Sequence, residues 1–225
     1  MLKKIHMQSS MAAKTIEIRI LILSLAALLA TEVAVRVVLS KAAYSPLLIL
    51  GVARVVETLL FLLIVSSRGK GISSIGLGRD RTVAGLKKGL IWSALFGLCA
   101  FLGFVVLSAA HIKDPLRLIK TYLPPGAHGI VLLFVVGGVV SPIAEEVFFR
   151  GILYGFLRRW GVLVAVVGST VIFVLVHPII SGIRLTQIVG GFVFAVAYEV
   201  EGNLMVPITI HALGNLAIFS LSLVS

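Results

Sequence analysis

Ionisable residues lie inside long apolar stretches of the chain, where they could do chemistry. They are Glu145, Glu146, Arg150, His177 and His211. A charged side chain inside a membrane is costly and is usually functional. Glu146 and Arg150 are spaced i,i+4, so they can pair on one helix face and neutralise each other. Glu145 is rotated by about 100° from Glu146. It has no partner on its own helix, which suits it to accept a proton from water.

A proline accompanies the ionisable residue in each of the three stretches: Pro142, Pro178 and Pro207. Proline interrupts a helix and frees a backbone carbonyl. Inside a membrane this is tolerated where the backbone faces protein or a hydrated cavity. The pattern predicts an internal hydrated cavity, and three ordinary helix kinks are the alternative.

The spacing of these residues along helical hairpins places them at similar depths. Two apolar stretches meet near Gly161, midway between Glu145 and His177, so both side chains would lie about 20 Å from that turn. His211 would lie about 12 Å in from the same side. We therefore expect Glu145, His177 and His211 to converge.

The elements that must position these residues are membrane-spanning helices. Of 225 residues, 59% are hydrophobic and 13% are charged, whereas soluble domains have about 25% charged residues. Several apolar runs reach the ~20 residues that cross a bilayer. The sequence predicts a single all-α membrane domain, a polytopic transmembrane helix bundle with about seven spans. The expected spans are 18–40, 46–66, 88–110, 128–157, 162–179, 185–199 and 204–224.

The net charge of +11 comes mostly from residues between the apolar runs. That distribution fits topology-setting loops and attraction to anionic lipid better than a nucleic-acid surface, so no nucleic-acid partner is expected. The balance of positive residues predicts an integral protein of the plasma (inner) membrane with a cytoplasmic N-terminus. Residues 1–127 would hold three spans, a basic cytoplasmic loop and an interfacial connector. In that connector, Leu116, Ile119 and Leu123 recur at helical spacing, which predicts a short interfacial helix or a gate.

The first two spans also contain charges, at positions that allow pairing. Glu32 and Arg36 are spaced i,i+4, and Arg54 and Glu57 are spaced i,i+3. Each pair sums to zero charge, so structural ion pairs between the first two helices are the preferred interpretation. A transport path is the alternative.

Three short motifs in the C-terminal part resemble those of one family: Glu145-Glu146-x-x-x-Arg150, Phe173-x-x-x-His177 and His211-x-x-x-Asn215. Their order on successive apolar spans resembles the CPBP family, the CAAX-protease and bacteriocin-processing (Abi) intramembrane endopeptidases. The resemblance covers residues 129–224. It implies that residues 128–225 form a catalytic four-helix region.

The resemblance also implies roles for single residues. Glu145 would activate water with the assistance of His177. Glu146 and Arg150 would support that glutamate, and Phe173 would pack against the face of His177. This agrees with the residues themselves, which supply a general base and an imidazole.

In the same resemblance, His211 and Asn215 would stabilise the oxyanion of the tetrahedral intermediate. The family is often labelled as metalloproteases, and Glu145, His177 and His211 could bind zinc. The compact His-Glu-x-x-His arrangement is missing from the sequence, so a metal-free glutamate mechanism is favoured, with zinc as the alternative cofactor.

The expected partners are membrane lipid and a membrane-anchored or lipidated protein or peptide substrate. Prenylated C-termini, bacteriocin leaders and the anchors of exported proteins all fit. Two other functions remain open: a proton-coupled transporter, which predicts an internal repeat that the sequence does not show, and a non-catalytic scaffold or immunity factor on the same fold.

Overall fold

The chain folds into a bundle of membrane-length helices. The computed structural model describes residues 15–41, 45–69, 71–111, 115–177 and 185–224. The helices of the described residues are α1 (Ile18–Leu39), α2 (Pro46–Arg68), α3 (Thr82–Ala109), α4 (Gly126–Trp160), α5 (Val162–Val176), α6 (Leu185–Glu201) and α7 (Met205–Val224). The seven predicted spans are confirmed as helices, and the largest difference is that α3 begins at Thr82 rather than at residue 88.

The exposed surface of the bundle is apolar. Leu29, Val106 and Leu175 are 65%, 66% and 71% exposed, whereas the buried interior includes glutamate, arginine and histidine side chains. This distribution suits hydrocarbon rather than water as the surrounding solvent. Among the described residues, five stretches are long and apolar enough to cross a membrane: Ile18–Lys41, Pro46–Arg68, Ile72–Ala109, Gly126–Trp160 and Met205–Val224. The protein is therefore a polytopic, all-helical integral membrane protein.

Helix α3 packs on α7 through two glycines spaced by four residues. A Cβ atom built on Gly85 would lie 2.7 Å from the Met205 Cβ, and one built on Gly89 would lie 2.5 Å from the Thr209 Cβ. Small residues at this spacing let membrane helices approach closely. Farther along α3, a Cβ atom on Gly97 would have no neighbour within 4 Å. The first part of α3 thus anchors it to the bundle, and its second part faces lipid.

Helix α4 alternates between two helical geometries. Leu133–Val140 and Val147–Tyr154 are π-helical, and the α-helical turn Ser141–Glu146 lies between them. π-Helical segments are rare and are frequent at functional sites. The turn with both glutamates is therefore held between two wide, irregular segments of backbone.

The connector between α3 and α4 differs from its prediction as an interfacial helix. It forms a 3₁₀ turn at Pro115–Leu118 and is irregular afterwards, so Ile119 and Leu123 lie outside any helix. The reason is a tertiary hydrogen bond, in which the Thr121 N–H donates to Ser222 Oγ of α7 at 3.1 Å. The Thr121 N–H therefore has a hydrogen-bond partner even though the helix does not continue to this residue.

The charges in the first two spans pair between helices. Arg54 Nη1 lies 2.5 Å from Glu57 Oε2, and Arg54 Nη2 lies 3.1 Å from Glu32 Oε1 on α1. The predicted ion pairing of these two helices is confirmed. The partner of Glu32 is Arg54 of α2 and not Arg36, whose side chain is exposed near the C-terminal end of α1.

Candidate active site

The two glutamates of α4 face different surroundings. Adjacent helical residues point about 100° apart, so Glu146 is fully buried while the Glu145 side chain is 20% exposed. Pro142 lies in the first turn of the Ser141–Glu146 segment that carries both. The exposed fraction of Glu145 leaves its carboxylate accessible to a small molecule.

His177 lies just beyond the end of α5. Its backbone is extended, with φ −81° and ψ 134°, because the following residue in the sequence is Pro178 and a residue before proline avoids the helical region. The His177 Nδ1 lies 2.6 Å from the Phe173 carbonyl oxygen. A carbonyl only accepts, so Nδ1 bears the hydrogen and a neutral ring has its lone pair on Nε2.

That Nε2 atom of His177 faces the glutamate identified from the sequence. The distance from His177 Nε2 to Glu145 Oε2 is 3.6 Å. The Phe173 ring packs against the imidazole with centroids 4.4 Å apart. The predicted packing of Phe173 on the face of His177 is confirmed, and the contact fixes the orientation of the ring.

His211 of α7 approaches the same carboxylate from another side. Its Nε2 lies 3.8 Å from Glu145 Oε2, and its Nδ1 lies 2.8 Å from Glu146 Oε1. The Phe194 ring stacks on the imidazole at 4.6 Å. The sequence suggested that Pro207 could break its helix, but α7 is continuous. Pro207 lies in the first turn, where a backbone N–H would have no helical acceptor in any case. The predicted convergence of Glu145, His177 and His211 is confirmed.

Behind these residues, Arg150 and Glu146 form a completely buried ion pair. Arg150 Nη1 donates to Glu146 Oε1 at 2.9 Å, and Arg150 Nη2 donates to the Gly191 carbonyl of α6 at 3.0 Å. The guanidinium also lies 4.7 Å from the Phe173 ring centroid. The predicted i,i+4 pair is confirmed, and the structure adds His211 to it, because Glu146 Oε1 accepts from both partners.

Three parts of this arrangement were missed by the sequence reasoning: the Glu146–His211 hydrogen bond, the Gly191 carbonyl and the stacked Phe194. The hydrogen bond joins residues 65 positions apart, and no local pattern indicates it. The glycine pair Gly190–Gly191 in an apolar span was a usable signal, because glycine marks places where another group approaches the backbone closely.

Asn215 lies one turn beyond His211 on α7 and points to α4. Its Nδ2 donates to the Gly137 carbonyl at 2.8 Å. The amide has two hydrogens, so this bond leaves one for another acceptor. Asn215 therefore links α7 to the π-helical segment that precedes the glutamates.

The space in front of Glu145 suits a small polar occupant. Both histidines donate their Nδ1 hydrogens away from it, to a carbonyl and to a carboxylate, and both present Nε2 to the same oxygen. The Nε2–Oε2 distances of 3.6 Å and 3.8 Å exceed a direct hydrogen bond of 2.7–3.2 Å. A water molecule bound by these groups would satisfy them.

Zinc is the other candidate for this space. Histidine ligands characteristically donate a hydrogen bond from the N–H of their second ring nitrogen to a carboxylate or a carbonyl, as His211 and His177 do here from Nδ1. The tautomers of the two histidines suit a metal, but the positions of the side chains suit it less well. In the described part of the chain, no three His, Cys, Asp or Glu side chains surround a common metal position.

Comparison with known proteins matches the same region to a family model. Residues 127–217 match the family model described as Rce1-like, type II CAAX prenyl endopeptidase Rce1-like. A Bacillus subtilis (strain 168) protein named "Putative membrane peptidase YdiL" is 34% identical over 87 residues, which are 38% of this chain and 35% of that protein. The match thus spans about a third of the length of that relative. No solved structure gives a significant match to the chain.

The fold and the site define a class of protein: a helical membrane bundle in which glutamate and histidine side chains converge. Over residues 127–217, the chain is similar to the Rce1-like family of CAAX prenyl endopeptidases, which agrees with the CPBP resemblance of its three motifs. The matched region includes both glutamates, both histidines and Asn215.

Proposed function

We propose that this protein is an intramembrane endopeptidase that hydrolyses a peptide bond of a membrane-associated or lipidated protein. The observation that carries the proposal is the approach of two histidine Nε2 atoms to one oxygen of Glu145, at 3.6 Å and 3.8 Å, in a partly accessible site within the bundle. The match of residues 127–217 to the Rce1-like family model supports the same activity.

The proposed reaction begins with a water molecule held by Glu145 and His177. As the water oxygen forms its bond to the scissile carbonyl carbon, Glu145 accepts the proton that the water releases. The carbonyl oxygen then becomes negative. When the tetrahedral intermediate collapses, the C–N bond breaks and Glu145 returns the proton to the leaving amine. The product is one carboxylic acid and one amine, with water consumed.

His211 and Asn215 are the proposed stabilisers of the oxyanion. To donate from Nε2 while its Nδ1 donates to Glu146, His211 must be protonated at both nitrogens. The Glu146 carboxylate oxygen 2.8 Å from Nδ1 would accept the other ring hydrogen. Asn215 would contribute the amide hydrogen that Gly137 does not use.

A zinc ion is the alternative way to activate the water. Glu145, His177 and His211 would hold it, and the metal would lower the pKa of its bound water. We favour the metal-free reaction, because the sequence lacks the compact zinc motif and the described side chains do not surround one metal position.

The proposed substrate is a lipidated or membrane-anchored polypeptide. The matching family model is named for endopeptidases of prenylated CAAX proteins, so a farnesylated C-terminal peptide is the first probe. The proposed orientation has the N-terminus in the cytoplasm, since Lys and Arg favour that side of a membrane.

The test uses purified full-length protein in phospholipid vesicles. A farnesylated CAAX peptide and its unprenylated form are incubated with the wild type, with Glu145→Gln and with Glu17→Gln. Glu17 is a matched control because its side chain is 53% exposed and lies before α1. Mass spectrometry identifies cleavage products.

We expect cleavage by the wild type and by Glu17→Gln and none by Glu145→Gln. Proteomics of membrane-anchored proteins in cells with wild type or Glu145→Gln extends the test to other anchors. Equal cleavage by Glu145→Gln would refute the proposed base. The same set of anchored proteins in both cell lines, together with inactivity on both peptides, would favour the scaffold alternative.

A further inference from the structure

The first π-helical segment of α4 ends at an interrupted backbone ladder. The Ser141 N–H donates to the Val136 carbonyl, which is the i→i−5 pattern of a π-helix. The next donor in that register would be residue 142, and its acceptor would be Gly137. Residue 142 is proline, which has no N–H. The proline therefore removes the backbone partner of the Gly137 carbonyl.

A side chain from α7 occupies the place of that missing donor. Asn215 Nδ2 donates to the Gly137 oxygen at 2.8 Å. The approach is possible because α7 packs directly on two glycines of α4. A Cβ atom on Gly138 would lie 2.5 Å from Leu216 Cδ2, and one on Gly137 would lie 3.2 Å from the Phe219 ring.

This bond joins the two helices that bear the reacting groups. Gly137 precedes Glu145 by about two helical turns on α4, and Asn215 follows His211 by about one turn on α7. A backbone carbonyl inside a membrane is costly to leave without a donor, so loss of this hydrogen bond would be unfavourable. The contact fixes the position of α7 along α4 close to the site.

We propose that Asn215 is a positioning residue whose amide replaces the backbone N–H that Pro142 removes, and that it thereby sets the distance between Glu145 and His211. This inference rests on the proposed peptidase function. It differs from the oxyanion role that the family resemblance implies, because it acts through Gly137 and not through the substrate. One amide could serve both roles, and the experiment separates them.

The experiment is a double-mutant cycle with Asn215→Ala, Pro142→Ala and the combined variant, each purified full length in vesicles. Pro142→Ala returns an N–H that can pair with the Gly137 carbonyl. Alanine is the best helix former, so the change is mild for folding. If it impairs folding, Pro142→Ser supplies the same N–H. Ser220→Ala is the control, because the Ser220 hydroxyl bonds within α7 to Leu216.

With a positioning role, Asn215→Ala should lower kcat by about 10–100-fold with little change in KM, as expected for a displaced reacting group. In the Pro142→Ala background the same change should cost less than about threefold, because Gly137 already has a donor. An oxyanion donor alone predicts an equal loss, about 10²–10³-fold, in both backgrounds. Equal losses would overturn the proposal.

Thermal unfolding of the four proteins of the cycle, and of Ser220→Ala in the wild-type and Pro142→Ala backgrounds, provides a readout that does not depend on catalysis. We expect Asn215→Ala to lower Tm more in the wild-type background than in the Pro142→Ala background, while Ser220→Ala lowers it equally in both. If no protein cleaves any probe, the peptidase function fails while the Tm cycle still tests the bond. Additive Tm changes would then refute the positioning role.

Discussion

The buried pair of Arg150 and Glu146 allows a quantitative test of what holds the site in place. Both side chains are 0% exposed and 2.9 Å apart. We consider Arg150→Met, which removes the charge but retains an unbranched side chain of similar length. Glu146 would then keep only the Nδ1–H of His211 as a partner. Its carboxylate would be buried and largely uncompensated.

The magnitude follows from the two costs. Removing one partner of a buried ion pair costs about 3–5 kcal/mol. The Gly191 carbonyl loses a donor at 3.0 Å, which adds about 1 kcal/mol. In the double variant Glu146→Gln with Arg150→Met, no charge is left unpaired, and the glutamine oxygen can still accept from His211. We therefore expect a loss of about 1–2 kcal/mol for the double variant.

The assay is thermal unfolding of protein purified in detergent, together with the folded yield from size-exclusion chromatography. At roughly 2–4 °C per kcal/mol for a chain of this size, Arg150→Met should lower Tm by about 15 °C and the double variant by about 5 °C. Arg19→Met is the control, because Arg19 and Glu17 form an exposed ion pair. It should change stability by less than about 1 kcal/mol.

The refuting result is a double variant that is less stable than Arg150→Met. That order would mean that Glu146 stabilises the fold without Arg150, through His211 alone. The interpretation of Glu146 and Arg150 as one structural pair would then be wrong.

Other expected outcomes follow from the site and the packing. Glu145→Gln should lower turnover by about 10²–10⁴ in the peptide assay with Tm nearly unchanged; full activity would exclude Glu145 as the base. The purified enzyme should contain substoichiometric zinc by elemental analysis and keep its activity after chelation, and His211→Asn should retain more activity than His211→Ala. Stoichiometric zinc, lost in step with activity in His177→Ala, would restore the metal mechanism. Gly89→Leu should lower Tm, because its Cβ would lie 2.5 Å from a Thr209 carbon, whereas Gly97→Leu meets nothing within 4 Å and should not.

The positions of the helices and the set of reactive residues could be predicted from the sequence. Hydropathy depends only on the local residues, and a span needs about 20 of them. For this reason the expected spans 46–66 and 204–224 agree closely with α2 and α7. The pairing of Glu146 with Arg150 could also be predicted, because both lie on one helix at a fixed spacing. The depth count for Glu145 and His177 succeeded because both lie on one hairpin, equally far along the sequence from Gly161.

Only the tertiary structure decided which helix faces meet. On a membrane helix, the side that faces lipid and the side that faces the core are both apolar, so periodicity does not indicate the buried face. The partner of Glu32 proved to be Arg54, 22 positions away. His211 proved to share Glu146 with Arg150. Asn215 proved to reach the carbonyl that a proline on another helix leaves without its backbone donor. Each of these contacts depends on the rotation and depth of two packed helices, which no single segment of the sequence determines.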